Sequence, residues 1–329
     1  MSPQLASFQK VLDALLDEKK EFPRRYLREF SDIDSLELKT LLDVWPHVKP
    51  SRKLSLLEEL ESLADKDTLV CFDDFARTLL TDPDSAVRAR AMRLLSECED
   101  PHLVPTYVNI LQHDSDVHTR AEAASALGAF VLLGELEEIS ENFHHQAEDA
   151  LLSATKGDDQ SLVRRCALES LGYSSRDEVT TLIESAYRRE NPDWVASALV
   201  AMGRSNDNHW QEPVIHSMLS ESQPVREAAV QAAGELNLKS ARPILLRLLE
   251  EEEDEDVTSA AIWSLSQIGG EDVRTYIENL LDQTEDEEQI EFLEEALDNL
   301  AFTEDLDRFE LMSFDGDDDW DELEKLDEE

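Results

Sequence analysis

The sequence predicts an all-α protein of stacked antiparallel helix pairs, and three observations carry that prediction. The stretch Val-Arg-Ala-Arg-Ala-Met-Arg-Leu-Leu-Ser from Val87 to Ser96 has counterparts beginning at Thr119, Val163, Trp194, Val225, Val257 and Gln289, at spacings of 32, 44, 31, 31, 32 and 32 residues. A period of that size marks helical repeats, because one helix pair cannot bury its apolar face alone and must lean on a neighbour. Four residues into the copies stand Ala91, Ala123, Ala167, Ala198, Ala229 and Ala261, with Leu293 in the last; eight residues in stand Leu95, Leu127, Leu171, Met202, Ala233, Leu265 and Leu297. At 3.6 residues per turn the two columns share one helix face, so both are core, and the methyl column lets neighbouring backbones approach closely. Between the copies run apolar stripes such as Leu103, Val104, Tyr107, Val108 and Leu111, or Val273, Tyr276, Ile277, Leu280 and Leu281, which supply the first helix of each pair.

Residues 1–67 are read as a helical N-terminal cap. Leu5, Phe8, Val11, Leu12, Leu15 and Leu16 recur at helical spacing, and Phe22-Pro23 opens a second segment with the basic cluster Arg24, Arg25 and Arg28, taken as a solvated face. Leu36 to Trp45 and Leu54 to Leu63 give two further helices split by Pro46 and Pro50, the second a degenerate repeat in register at Arg52. Such an element is needed to close the open end of a repeat stack.

Residues 68–302 hold about seven repeats. Acidic or proline residues precede the copies, among them Asp82-Pro83-Asp84, Asp114 and Asp116, Asp158-Asp159, and Asp254 and Asp256, which suits the orphan amides of a helix N-terminus. Behind them Arg88, Arg120, Arg164 and Arg226 form a column in register. It is read as a structural ladder, each Arg paired with an acid of a neighbouring turn, rather than as a groove for an acidic ligand. Gly128, Gly172, Gly203 and Gly234 follow the second column and are expected to stop their helices in left-handed caps. The long period carries about a dozen extra residues within Ala129 to His145, including Phe130 and Leu133, which either deepen the core or offer a partner an apolar surface. Trp194, Trp210 and Trp263 are core or interface anchors by the same choice, and Trp194 joins Phe130 and Leu133 as a candidate protein contact.

Residues 303–329 are read as an acidic, disordered tail: 14 acidic residues stand against Arg308 and Lys325. Within it Phe309, Phe314 and Trp320 alternate with acids in the manner of a segment that folds on a basic partner.

The run Asp-Pro-Asp-x-x-Val-Arg-x-x-Ala at Asp82 to Ala91, with Leu-Gly following in other copies, resembles the HEAT repeat, in the short form of the phycobilisome-lyase-type HEAT-like proteins. The resemblance spans about residues 50 to 300. It implies a right-handed α-solenoid, a HEAT/armadillo-like superhelix with first helices on the convex side and second helices on the concave side. A bilin-lyase-like enzyme or chaperone is one function found on such repeats, but no chromophore site is evident at Cys71, Cys98 or Cys166. Deoxyhypusine hydroxylase, a HEAT-repeat di-iron enzyme, takes its ligands from His-Glu pairs; none of the eight histidines here is followed by glutamate, so that activity is not carried over.

Composition narrows the function classes. The net charge is −46, from 76 acidic and 30 basic residues, which opposes contact with phosphate backbones and disfavours nucleic acid. Such a surface suits a basic protein, or a salt-adapted cytoplasm. The three scattered cysteines fit a reducing cytosol, and neither a membrane span nor a signal peptide is expected. No nucleophile triad, phosphate loop or zinc signature stands out. The adjacent His144 and His145 point roughly 100° apart on a helix and would need ligands from elsewhere, so no metal and no cofactor are expected. The sequence therefore reads as a monomeric, cytoplasmic, non-catalytic scaffold for a basic protein or complex.

Overall fold

Each copy of the repeated stretch lies on a helix, with a second helix packed behind it. The computed structural model describes the backbone of residues 3–314 and the side chains of residues 8–306, and among these every regular element is helical. The contacts divide the chain into two units, Met1–Ser174 and Ser175–Glu329. The first contains α1 (Pro3–Leu16), α2 (Ser35–Val44), α3 (Pro50–Lys66), α4 (Asp73–Leu79), α5 (Ser85–Arg93), α6 (Val104–His113), α7 (Val117–Glu135), α8 (Glu141–Lys156) and α9 (Ser161–Leu171). The second contains α10 (Asp177–Tyr187), α11 (Pro192–Arg204), α12 (Gln211–Ser217), α13 (Gln223–Glu235), α14 (Arg242–Glu251), α15 (Glu255–Ile268), α16 (Glu271–Gln283) and α17 (Glu287–Phe314). In the first unit α3, α5, α7 and α9 stack in sequence, and in the second α11, α13, α15 and α17 do the same, each from α5 onward with its partner helix against it. This is the helix-pair stacking of an α-solenoid.

The columns explain the stacking. The six alanines and Leu293 are all fully buried, and the second column is buried from Leu95 to Leu265. Leu297 is half-buried, while Ala296 and Leu300 are buried on α17. Each large apolar side chain removed from water contributes about 1.5–3 kcal/mol, so a seven-fold column outweighs any surface ion pair.

Acids between the repeats divide two tasks. Asp84, Asp116 and Asp254 cap α5, α7 and α15, accepting from the amides of Ala86, Thr119 and Val257. Two residues earlier, Asp82, Asp114 and Glu252 each accept the amide of that capping acid, at 2.9, 3.0 and 3.2 Å, and turn another oxygen or the same one to a cation. Arg88 grips Asp114 through two bonds of 2.8 and 2.7 Å, Arg120 grips Asp159 at 2.7 and 2.6 Å, and Arg226 grips Glu252 at 2.8 and 3.0 Å. The remaining arm of each guanidinium donates to the carbonyl six residues back, at Asp82, Asp114 and Ser220. Every such Arg therefore ties its own turn to the next one. Arg164 donates Nε to the Thr155 carbonyl at 3.1 Å. On α3 the cation that meets Asp82 is Lys53, at 3.0 Å, and not Arg52, which instead donates to the Asp17 and Lys20 carbonyls.

The ladder fixes how stability depends on acid. Burial, the largest single influence, would raise the Asp114 carboxyl, but the Arg88 bond, the Asp116 amide and the Arg88 charge together outweigh it, and Arg120 and Arg226 hold Asp159 and Glu252 below the usual carboxylate range. A depressed folded pKa contributes stability that is present above the unfolded value of about 4 and is lost as pH falls through the folded value. Glu122 and Glu235 run the other way: burial pushes both up, so protonating them on mild acidification relieves a cost. Together with relief of the −46 charge, this predicts a midpoint of thermal unfolding that rises from neutral pH to about pH 5 and falls steeply below about pH 4. A monotonic decline from neutrality in a series of melts would refute the assignment.

Three sequence expectations change. Gly128, Gly203 and Gly234 lie inside α7, α11 and α13, and Gly172 caps α9 with φ −52°, in the right-handed region. Among the described residues, those with positive φ are Asp32, Glu137, Asn206, Asn237, Gly269 and Gly270. After Glu137 and Asn237 the chain closes back, with the Glu138 amide on the Leu133 carbonyl at 2.8 Å and Leu238 on Ala233 at 3.0 Å, so the stop falls three residues after Gly234 and, on the lengthened α7, nine after Gly128. Phe130 and Leu133 are 2% and 8% exposed, core residues of the lengthened α7 rather than a partner surface; the outward residues there are Leu132 and Leu136. Finally, the last helix, α17, does not give way to a tail at Thr303. Arg274 of α16 donates to Glu304 at 2.8 Å, which anchors the turn beyond the repeat, and the helix continues through Thr303 to Phe314.

Candidate functional site

Three of the described tryptophans are interior: Trp45, Trp194 and Trp210 are 4%, 7% and 4% exposed. Trp263 is 40% exposed. The difference follows from where each falls on its repeat. Trp194 opens its copy in the place of a core aliphatic, and Arg189 lies over its ring at 3.7 Å, so the candidate contact expected there is covered by its own chain. Trp263 stands two residues after Ala261 and two before Leu265, both buried, so on α15 it faces away from that column.

That face lines a groove of about 400 Å³ across α13, α15 and α17. From α13 come Glu227, Gln231 and Glu235, four residues apart and hence on one stripe; from α15 come Asp256, Ala260, Trp263 and Gln267; from α17 comes Phe292. Gln223 and Gln231 donate to the two oxygens of Glu227 at 3.0 and 3.4 Å, which fixes that carboxylate along the helix. Every ionisable residue in this lining is acidic. An indole flanked by carboxylates attracts a cation twice, through charge and through the ring face.

The corresponding groove in the first unit differs. It encloses about 590 Å³ and is lined by Arg90, Arg93, His118, Glu122 and Cys166 among others, but its charges are spent internally: Arg90 pairs with Glu61 at 3.0 Å, and Arg93 reaches Glu61 and Glu122 at 3.5 and 3.8 Å. Burial pushes the thiols of Cys98 and Cys166 up, which keeps them in the neutral, weakly nucleophilic form.

Of the aromatic residues expected near the C-terminus, Phe309 and Phe314 lie on α17 but outside the described side chains, and Trp320 lies outside the described residues. Phe302 and Leu306, which the sequence reading did not single out, are exposed on the same helix. Among the described residues no helix is long and apolar enough to cross a membrane.

The family model described as HEAT repeats matches residues 73–140 and 212–298. Over those two stretches the chain carries HEAT repeats. The matched stretches take in α4 to α7 and most of α12 to α17, so the Trp263 groove is built entirely on HEAT helices. Similar solved structures include YibA of Escherichia coli, at 15% identity over 92% of this chain and 97% of that one, with a TM-score of 0.40. Another is the complex of CpcE and CpcF of phycocyanin lyase from Nostoc sp. PCC7120, at 17% identity over 69% and 94%, with a TM-score of 0.45. Human deoxyhypusine hydroxylase in complex with glycerol gives 13% identity over 80% and 96%, with a TM-score of 0.35. No curated protein matches the sequence.

Proposed function

We propose that this HEAT-repeat chain is a non-catalytic, cytoplasmic interaction scaffold and that the groove around Trp263 takes a basic segment of a partner protein. The observation that carries the reading is a large aromatic left exposed in a groove whose ionisable residues are all acidic. Aromatic anchors in partly desolvated pockets dominate binding energy, whereas rim charges mainly steer encounter. Lys or Arg side chains of the partner would lie on the indole and meet Glu227 and Asp256; the overall charge of −46 would speed their approach.

Titration with an arginine-rich peptide, followed by tryptophan fluorescence at physiological salt, tests this. Trp263→Ala is expected to weaken binding by about thirtyfold, the size of a hot-spot loss of about 2 kcal/mol. An acidic surface that binds polycations without a defined site would leave the variant and the native chain equal, and the reading would then fall.

A further inference from the structure

The repeat period lengthens from 32 to 44 residues between Thr119 and Val163. The corner made by those extra residues gathers three metal-ligating side chains. Glu135 closes α7, and His144 and Glu148 stand four apart on α8, on one face. His144 Nε2 lies 3.7 Å from Glu135 Oε1 and 3.6 Å from Glu148 Oε1, and the three ligand atoms all fall within 4.8 Å of one another. We propose that this corner binds one zinc ion through Glu135, His144 and Glu148, with water in the fourth position.

The distances favour an ion between the groups over a direct bond. A hydrogen bond from imidazole to carboxylate would close to about 2.7–3.2 Å. Donor atoms about 2.0–2.2 Å from a tetrahedral zinc stand roughly 3.3–3.6 Å apart, close to what is seen. His144 Nε2 is also buried with no hydrogen-bond partner, an unfavourable state for a ring nitrogen that coordination would relieve. The surroundings hold the ligands in place. A methyl group at Gly134 would overlap the His144 ring, so the ring lies against the only kind of residue that admits it there. Ser174 Oγ donates to Glu148 Oε1 at 2.5 Å and orients that carboxylate, which is 2% exposed. Two carboxylates and a neutral imidazole match a doubly charged cation, and the partial exposure of His144 and Glu135, 14% and 24%, leaves the fourth position open to water. His145, whose ring stacks on that of His144 at 5.8 Å between centroids, is not part of the set.

The full chain, freed of metal and titrated with zinc chloride by calorimetry in excess magnesium, decides the matter. Magnesium occupies the oxygen-only acidic surface but competes poorly where an imidazole is a ligand. One equivalent of zinc is expected to bind, to raise the thermal midpoint, and to bind at least about tenfold more weakly to Glu135→Gln and His144→Asn. Should His144→Asn fail to fold, Glu135→Gln, at the more exposed ligand, still gives the answer. Absence of a step at one equivalent, or equal zinc affinity in the native chain and in a folded ligand variant, overturns the assignment. Neither outcome bears on the Trp263 groove, which lies in the other unit.

Discussion

Asp82→Ala is expected to lower the unfolding free energy by about 3–5 kcal/mol, the cost of breaking a buried ion pair by removing one partner. Lys53 is the reason. Its ammonium lies 3.0 Å from Asp82 Oδ2 with the two side chains 8% and 2% exposed, and it also sits 4.8 Å over the Trp45 ring. Trp45 Nε1 donates to the same oxygen at 2.7 Å, and the Asp84 amide donates to the other at 2.9 Å. Burial alone would push the Asp82 carboxyl up; these donors outweigh it and hold it below the usual range. Deleting the carboxylate strands a buried cation and two neutral donors at once. The double variant Lys53→Met, Asp82→Leu should recover most of the loss, because it removes the charge together with its need for a partner. Urea denaturation followed by circular dichroism measures both. A loss under about 1 kcal/mol for Asp82→Ala would mean that Lys53 reaches solvent once released, and that the pair does not hold this turn.

Much of the helix stack was legible because its signals are periodic. Alanine at one site in six of seven copies has one cheap explanation, close helix approach, and the structure buries all six. Single residues within the period were less legible. Lys53 escaped notice because the column was followed by residue type, Arg, when the turn requires only a buried cation that can reach the next acid. The glycines misled for a related reason. Leu-Gly at the end of an apolar stripe looks like a helix stop, but Asn206 and Asn237 can adopt the left-handed conformation themselves, and that freed the glycines for packing.

Sites proved harder to read than the fold, because a site is a meeting of residues whose sequence spacing carries no period. Glu135 and His144 are nine apart and come from two helices, so only the turn between α7 and α8 reveals them as neighbours. Trp263 could have been found from sequence: it lies two positions after Ala261, where the helical period places an outward residue, and a tryptophan facing outward calls for an explanation. Phe130 and Leu133 were conspicuous as part of an apolar run, yet such a run on a lengthened helix must bury one stripe. The stripe it buries is theirs, and Leu132 and Leu136 are left outside.

Substitution of Gly234 separates the two roles a glycine can have here by the sign of the effect. Were it an interior helix residue with open space beside it, Gly234→Ala would stabilise α13 by about 1 kcal/mol through helix propensity alone. The structure points the other way. A Cβ at position 234 would meet Gln267 Oε1, which can rotate aside, but would also stand 2.8 Å from both Cα and Cβ of Ser264, and the Cα is backbone that cannot. Ser264 is 1% exposed and its hydroxyl donates to the Val230 carbonyl at 2.8 Å, so moving α15 outward lengthens that bond as well as loosening the Ala229 and Ala261 contacts on either side. Overpacking of this kind costs about 1–3 kcal/mol, more than the propensity gain returns. Gly234→Ala should therefore destabilise by about 1 kcal/mol, and Gly234→Val, which adds two methyl groups and gains less propensity than Ala, by about 3 kcal/mol. An alanine variant that melts higher than the native chain would show that α13 and α15 can separate without loss, and the close approach that the alanine column implies would not be what holds this unit together.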